Sequence, residues 1–141
     1  MLWPDLNLVS FSLNGLRFGL DARYCRGAEL DRPQPASDTA ANAHPSPLWV
    51  ADLIGGPVAN LPPPPPRARH VLRLIVPNTT PASRAIIVPA PVEWSVVNGA
   101  SIYPAPPLLA ARSQLCGLSA LVWEQGPIQL ILEPGPWFDA P

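Results

Sequence analysis

The side chains in this sequence that could do chemistry are few. They comprise two histidines, His44 and His70, two cysteines, Cys25 and Cys116, and ten carboxylates against nine arginines, with no lysine. Catalysis needs a nucleophile, a base and an orienting group that converge. His44 sits in a stretch of small residues where a base would not be held rigidly. His70 opens an apolar run with no cysteine or carboxylate beside it. Both read as ordinary surface or edge histidines. Cys25, between Arg23 and Arg26, has the neighbours that lower a thiol pKa, but a buried structural thiol is the commoner role and is the expectation. The cysteines stand too far apart for a metal spacing. They could pair in an oxidising compartment, and two buried thiols are expected instead. Glu29 and Asp31 flank a loop start rather than facing one another. Gly55-Gly56-Pro57 lacks the lysine and the following helix of a phosphate loop. The chain is therefore expected to have no catalytic residue, no metal and no cofactor.

The aromatic inventory says more. Trp49, Trp94 and Trp123 fall inside apolar runs and are expected in the core. Trp3 and Trp137 lie near the termini among prolines, where they either cover the ends of a barrel or offer a contact surface to a partner.

The elements that must position these residues are strands. Leu6–Asn14 alternates and ends in Asn14-Gly15, which tolerates positive φ at both positions and is a strong hairpin signal. Leu16–Leu20 is its return strand. The next segment, Ala22–Leu30, is undecided between a short strand and a helical turn. Residues 31–46 hold no large apolar side chain and read as a long loop. Pro47–Gly56 reads as one buried strand. Residues 57–68 form a second connector whose five consecutive prolines, Pro62–Pro66, read as a stiff polyproline II spacer; the alternative is a ligand for an aromatic groove. His70–Val76 is a strand, 78–83 a turn, and Arg84–Val97 a strand broken by Pro89 and Pro91. Asn98-Gly99 is another turn signal, and Leu108–Cys116 is the one helix expected. Gly117–Glu133 supplies two strands about Gln125-Gly126-Pro127.

Composition closes off other classes. The 141 residues allow one domain or two intimate subdomains, and a 48% hydrophobic content supplies a core. A net charge of −1 with 13% charged residues excludes a basic nucleic-acid binder. A surface this poor in charge opposes association only weakly. Twenty-two prolines argue against a helical protein. No apolar run approaches the roughly 20 residues of a spanning helix, and the N-terminus does not look like a signal peptide, so the cytoplasm is the expected compartment. About eight short strands make the class all-β, barrel or sandwich.

The order of segments resembles the CheW-like domains, adaptors of bacterial chemotaxis arrays. Phe11–Arg26 matches their opening hairpin, with Phe18, Gly19, Leu20 and Asp21 on its return strand. Pro47, Val50, Asp52 and Leu53 match the family's P-V-V-D-L strand when one extra residue is allowed. The segments His70–Val76, Arg84–Val88, Ser101–Pro107 and Gly117–Pro134 follow in the family's order. The likeness spans residues 6–30, 47–54 and 70–138. The family's N-L-R-G element has no counterpart, its place being taken by 31–46, and Ala85–Pro89 stands where the family has G-L-L-V-D.

The resemblance implies two small five-stranded SH3-like β-barrels packed over a shared core, with at most one or two short helices. It implies a single domain, 1–141, with a first subdomain at 6–60, a second at 69–126 and a C-terminal strand, 127–134, returning. It implies a non-enzymatic adaptor joining the chemoreceptor cytoplasmic tip to the regulatory domain of a CheA-like histidine kinase. The alternative is a CheW-like assembly module of another signalling or motility system that binds itself. The implied docking segment follows the first hairpin: Arg23, Tyr24, Cys25, Arg26 and Gly27, with Trp3 and Trp137 as further candidates.

Overall fold

The computed structural model describes residues 4–30, 47–76, 83–124 and 126–138. Ten strands form two sheets. The chain opens with β1 (Leu6–Leu13) and β2 (Leu16–Asp21), joined by Asn14 at φ 50° and Gly15 at φ 81°. Positive φ at both positions is what lets two residues reverse a twisted hairpin. Phe11 and Phe18 face each other across the pair, their rings stacked at 5.9 Å. A 3-10 turn, Ala22–Tyr24, leads into β3 (Cys25–Leu30). The next described elements are β4 (Leu48–Trp49) and helix α1 (Val50–Ile54). β5 (Arg69–Ile75) and β6 (Ser83–Pro89) pair antiparallel. Then follow β7 (Glu93–Val97), β8 (Ile102–Pro104), α2 (Pro107–Ser113), β9 (Leu118–Val122), β10 (Gln129–Leu132) and α3 (Gly135–Phe138).

The six-stranded sheet runs β7-β1-β2-β10-β9-β8 and the four-stranded sheet β3-β5-β6-β4. The chain passes from the first sheet to the second at the turn 22–24 and back at 90–92, where the Ala90-Pro91 bond is cis. β1 is buried on both faces because it lies between two cores. Leu8 joins Val97, Ile102, Ala120, Val122 and Ile131 in a small core. Val9, Phe11 and Leu13 turn the other way, into the large core shared with α1, β5 and β6. Helix α3 links the sheets. Trp137 Nε1 donates to the Cys116 carbonyl at 2.8 Å, and the Arg84 guanidinium lies 5.3 Å from the centre of the Phe138 ring.

The chain is all-β as expected, its strands dividing six and four between two sheets, with β1–β2 pairing with β7 and β10. Other expectations change. The run Pro47–Gly56 is two strand residues and then α1, whose end is set by Gly55 at φ 73°. An apolar run of that length serves a buried helix as well as a strand. Among the described residues α1 and α3 add two one-turn helices to α2, which lies at Pro107–Ser113. Trp49 is in the core, but Trp94 and Trp123 are 55% and 60% exposed. Trp94 belongs to an edge strand with a neighbour on one side only, and Trp123 lies just past the end of β9. Trp137 is 9% exposed, packed in the large core and hydrogen-bonded, which leaves it almost no surface for a partner. Trp3, His44, the loop 31–46 and most of the turn 78–83 lie outside the described residues.

Candidate docking site at the sheet crossover

The candidate segment is the crossover itself. Asp21 ends β2 and caps the 3-10 turn by accepting from the Arg23 backbone N–H at 3.0 Å. Its other oxygen meets Arg23 Nε at 3.2 Å, which holds the guanidinium beside the turn. Arg23 Nη2 donates to the Tyr24 hydroxyl at 3.0 Å, and the guanidinium carbon lies 4.9 Å from the Tyr24 ring centre. Partial burial, then the hydrogen bond and charge of the Glu133 carboxylate, raise the Tyr24 pKa, so the phenol stays neutral. Arg23 and Tyr24 are thus preorganised on an otherwise exposed turn. Little side-chain entropy is left for a partner to remove.

Arg26 is presented differently. The register of β3 on β5 shifts between Cys25, paired with Leu74, and Gly27, paired with Arg73. Arg26 is the extra residue of this bulge and is exposed. Bulges re-aim a side chain in this way. Gly27 leaves open space where a Cβ would stand. Arg73, its exposed cross-strand partner, adds a third arginine that the sequence reading passed over; its signal is the outward place in the alternation Val71–Ile75.

Cys25 turns inward. Burial, reinforced by the Asp21 carboxylate, pushes its thiol up to about 12, the reverse of an activated nucleophile. Cys25 and Cys116 are both unpaired thiols. Among the described residues no cluster of three or more His, Cys, Asp or Glu side chains is placed to hold a metal ion. The crossover therefore presents two exposed guanidiniums, Arg23 and Arg26, beside the half-buried Tyr24 phenol. Trp137 is buried in the large core, against which Ala22 and Cys25 also pack, and Trp3 is not described.

Aromatic surface lies elsewhere. Ile102 and Val122 point into the small core, so Tyr103 and Trp123 share the opposite, outward face of β8–β9, 47% and 60% exposed. Trp94 and Val96 stand on one face of edge strand β7.

Two sheets crossed twice by the chain, with a small core inside the larger sheet and a large core between them, define a CheW-like fold. The scaffolding protein TtCheW from Thermoanaerobacter tengcongensis, known as a crystal structure, superposes on this chain with a TM-score of 0.69. The superposition covers 99% of this chain and 90% of that one, at 15% sequence identity. No protein-family model matches the sequence, and no curated protein matches it.

Proposed function

We propose that this chain is a non-enzymatic adaptor of chemotaxis-type signal transduction, joining a chemoreceptor cytoplasmic tip to the regulatory domain of a CheA-like histidine kinase in the cytoplasm. The observation that carries the reading is the superposition of nearly the whole chain on a scaffolding protein despite low identity. The arginine- and tyrosine-bearing crossover is the docking surface in this reading, since Tyr and Arg are the usual anchors of protein interfaces. Among the described residues no helix is long and apolar enough to cross a membrane. The test is calorimetric titration of the full chain with the kinase regulatory domain and with receptor-tip fragments from the same genome. Saturable binding to either supports the adaptor, and no binding at tens of micromolar overturns it.

A second reading is a self-associating assembly module. It is favoured by edge strand β7, whose Trp94 and Val96 are exposed on one face. Unblunted edges with apolar side chains invite strand addition. Sedimentation separates the two readings: a concentration-independent dimer with no affinity for kinase or receptor favours the module.

A further inference from the structure

The adaptor reading makes no use of Leu61–Arg67. Each of residues 61–65 precedes a proline, which drives its ψ into the extended range. Each of Pro62–Pro66 has its φ locked near about −65° by the ring. From Leu61 to Pro65 the backbone is confined to polyproline II, with Pro65 at φ −63°, ψ 158°, and a 3-10 turn, Pro66–Ala68, ends the run. With three residues per turn, such a helix is a prism with three edges.

One edge faces the fold. Leu61 and Pro64, three residues apart, are both half-buried. The Leu61 carbonyl accepts from Trp49 Nε1 at 2.8 Å, and the Pro64 carbonyl accepts from Arg69 Nη1 at 3.3 Å. Pro62 and Pro65 form the second edge, Pro63 and Pro66 continue the third, and all four are exposed. A groove walled by parallel aromatic rings receives two edges of such a prism and leaves the third outside. Here the edge left outside is the one tied to the fold.

Arg67 follows directly. It is exposed and has no ion-pair partner among the described residues. Pro62, Pro65 and Arg67 stand in P-x-x-P-x-R spacing in the sequence, and the 3-10 turn Pro66–Ala68 that ends the run carries the exposed Arg67 off the prism. A free proline peptide would lose freedom on docking, whereas this run is already held at both its inward carbonyls.

We propose that Pro62–Arg67 is a docking ridge for a second protein, one with a groove lined by aromatic rings and a carboxylate at the end that meets Arg67. The proposal is independent of the adaptor reading, since it places a partner on a different surface.

The probe is a purified SH3 domain that takes P-x-x-P-x-R ligands, titrated with the full chain and followed by its groove tryptophan fluorescence. Saturable one-to-one binding is expected. The double substitution Pro62→Ala/Pro65→Ala weakens it at least about tenfold. Arg67→Glu also weakens it, with an effect that shrinks at high salt. Neither variant touches Leu61 or Pro64, and circular dichroism with a melting curve verifies that both keep the fold. Absence of saturable binding by the unmodified chain at millimolar probe overturns the proposal. So does binding indifferent to both variants, or sedimentation showing a second copy of this chain seated on the ridge in place of the probe.

Discussion

Replacing Gln129 by leucine tests whether a buried polar contact holds the six-stranded sheet together. Gln129 Nε2 donates to Ser10 Oγ at 2.5 Å and towards the Phe18 carbonyl at 3.4 Å, so one amide ties β10 to β1 and β2. Ser10 is 1% exposed and Gln129 7%. Leucine nearly keeps the volume, so the loss is of hydrogen bonding. The hydroxyl left behind has no access to water, and an unpaired buried polar group costs about 1–3 kcal/mol. For a chain of this size that lowers Tm by about 2–4 °C per kcal/mol. Ser10→Ala alone strands the amide and costs a similar amount. The double variant removes both polar ends together, which is close to neutral. The two losses therefore should not add, and the coupling recovered in the double variant should be about 1–3 kcal/mol. Urea denaturation of the four proteins at one temperature measures every corner of the cycle. Strict additivity, or a Gln129→Leu effect within about 0.5 kcal/mol of zero, would refute the reasoning. Gly19 supplies a check from the other side. A Cβ there would stand 2.5 Å from the Gln129 amide nitrogen, so Gly19→Ala must displace the amide and weaken the same contact.

Further expectations follow from the crossover and the core. Arg26→Glu, on the exposed bulge, weakens binding of the kinase domain or receptor tip by on the order of 1–3 kcal/mol and leaves the melting curve unchanged; equal affinity in the folded variant moves the docking surface elsewhere. Trp137→Phe strands the Cys116 carbonyl and thins the core, costing about 1–3 kcal/mol, while Trp137→Ala costs about 3–5 kcal/mol; denaturant unfolding reads both. In a Cys116→Ser background, Cys25 of the native protein reacts with iodoacetamide at pH 8 far more slowly than in urea, because its thiol is pushed up to about 12. The native state then holds that proton more tightly than the unfolded chain, whose thiol ionises near the ordinary 9.0. This contribution to stability is present in full below pH 9.0 and is lost as the pH rises towards about 12, which unfolding at a series of pH values measures.

What could be read from the sequence was local. Asn14-Gly15 announces its turn because two adjacent residues accept positive φ, and the flanking alternation then fixes the register from Leu13–Leu16 to Leu8–Asp21. Periodicity alone does not separate strand from turn over the crossover segment, and it is both: a capped 3-10 turn and then a bulged strand. The tryptophans show the limit. Trp94 and Trp49 sit in equally apolar runs and both on edge strands, and what separates them is the face: Trp49 turns into the large core and donates to the Leu61 carbonyl, while Trp94 faces outward. Trp137, among prolines near the end, looks like surface until helix α3 folds it onto Cys116. Strand partnership is likewise invisible locally, since β2 finds β10 more than a hundred residues away. The docking role proposed for Arg23 and Arg26 rests on the family likeness alone; the structure shows one guanidinium clamped by Asp21 and the other on a bulge.

The position of β10 has a consequence for biosynthesis. It lies between β2 and β9, parallel to the first, so among the described residues it is the strand that joins the opening hairpin to the β9–β8 pair. On the ribosome the hairpin emerges more than a hundred residues before β10, and until then β2 has an empty flank beside Phe18 and Leu20. An isolated hairpin is marginal in water. The hairpin therefore waits for a strand made much later before its sheet is continuous. A chain stopped after Gly126 would carry two half-sheets with open edges, the kind of species that chaperones hold and proteases clear. Quality control of this protein is in effect deferred to the arrival of four residues, Gln129–Leu132.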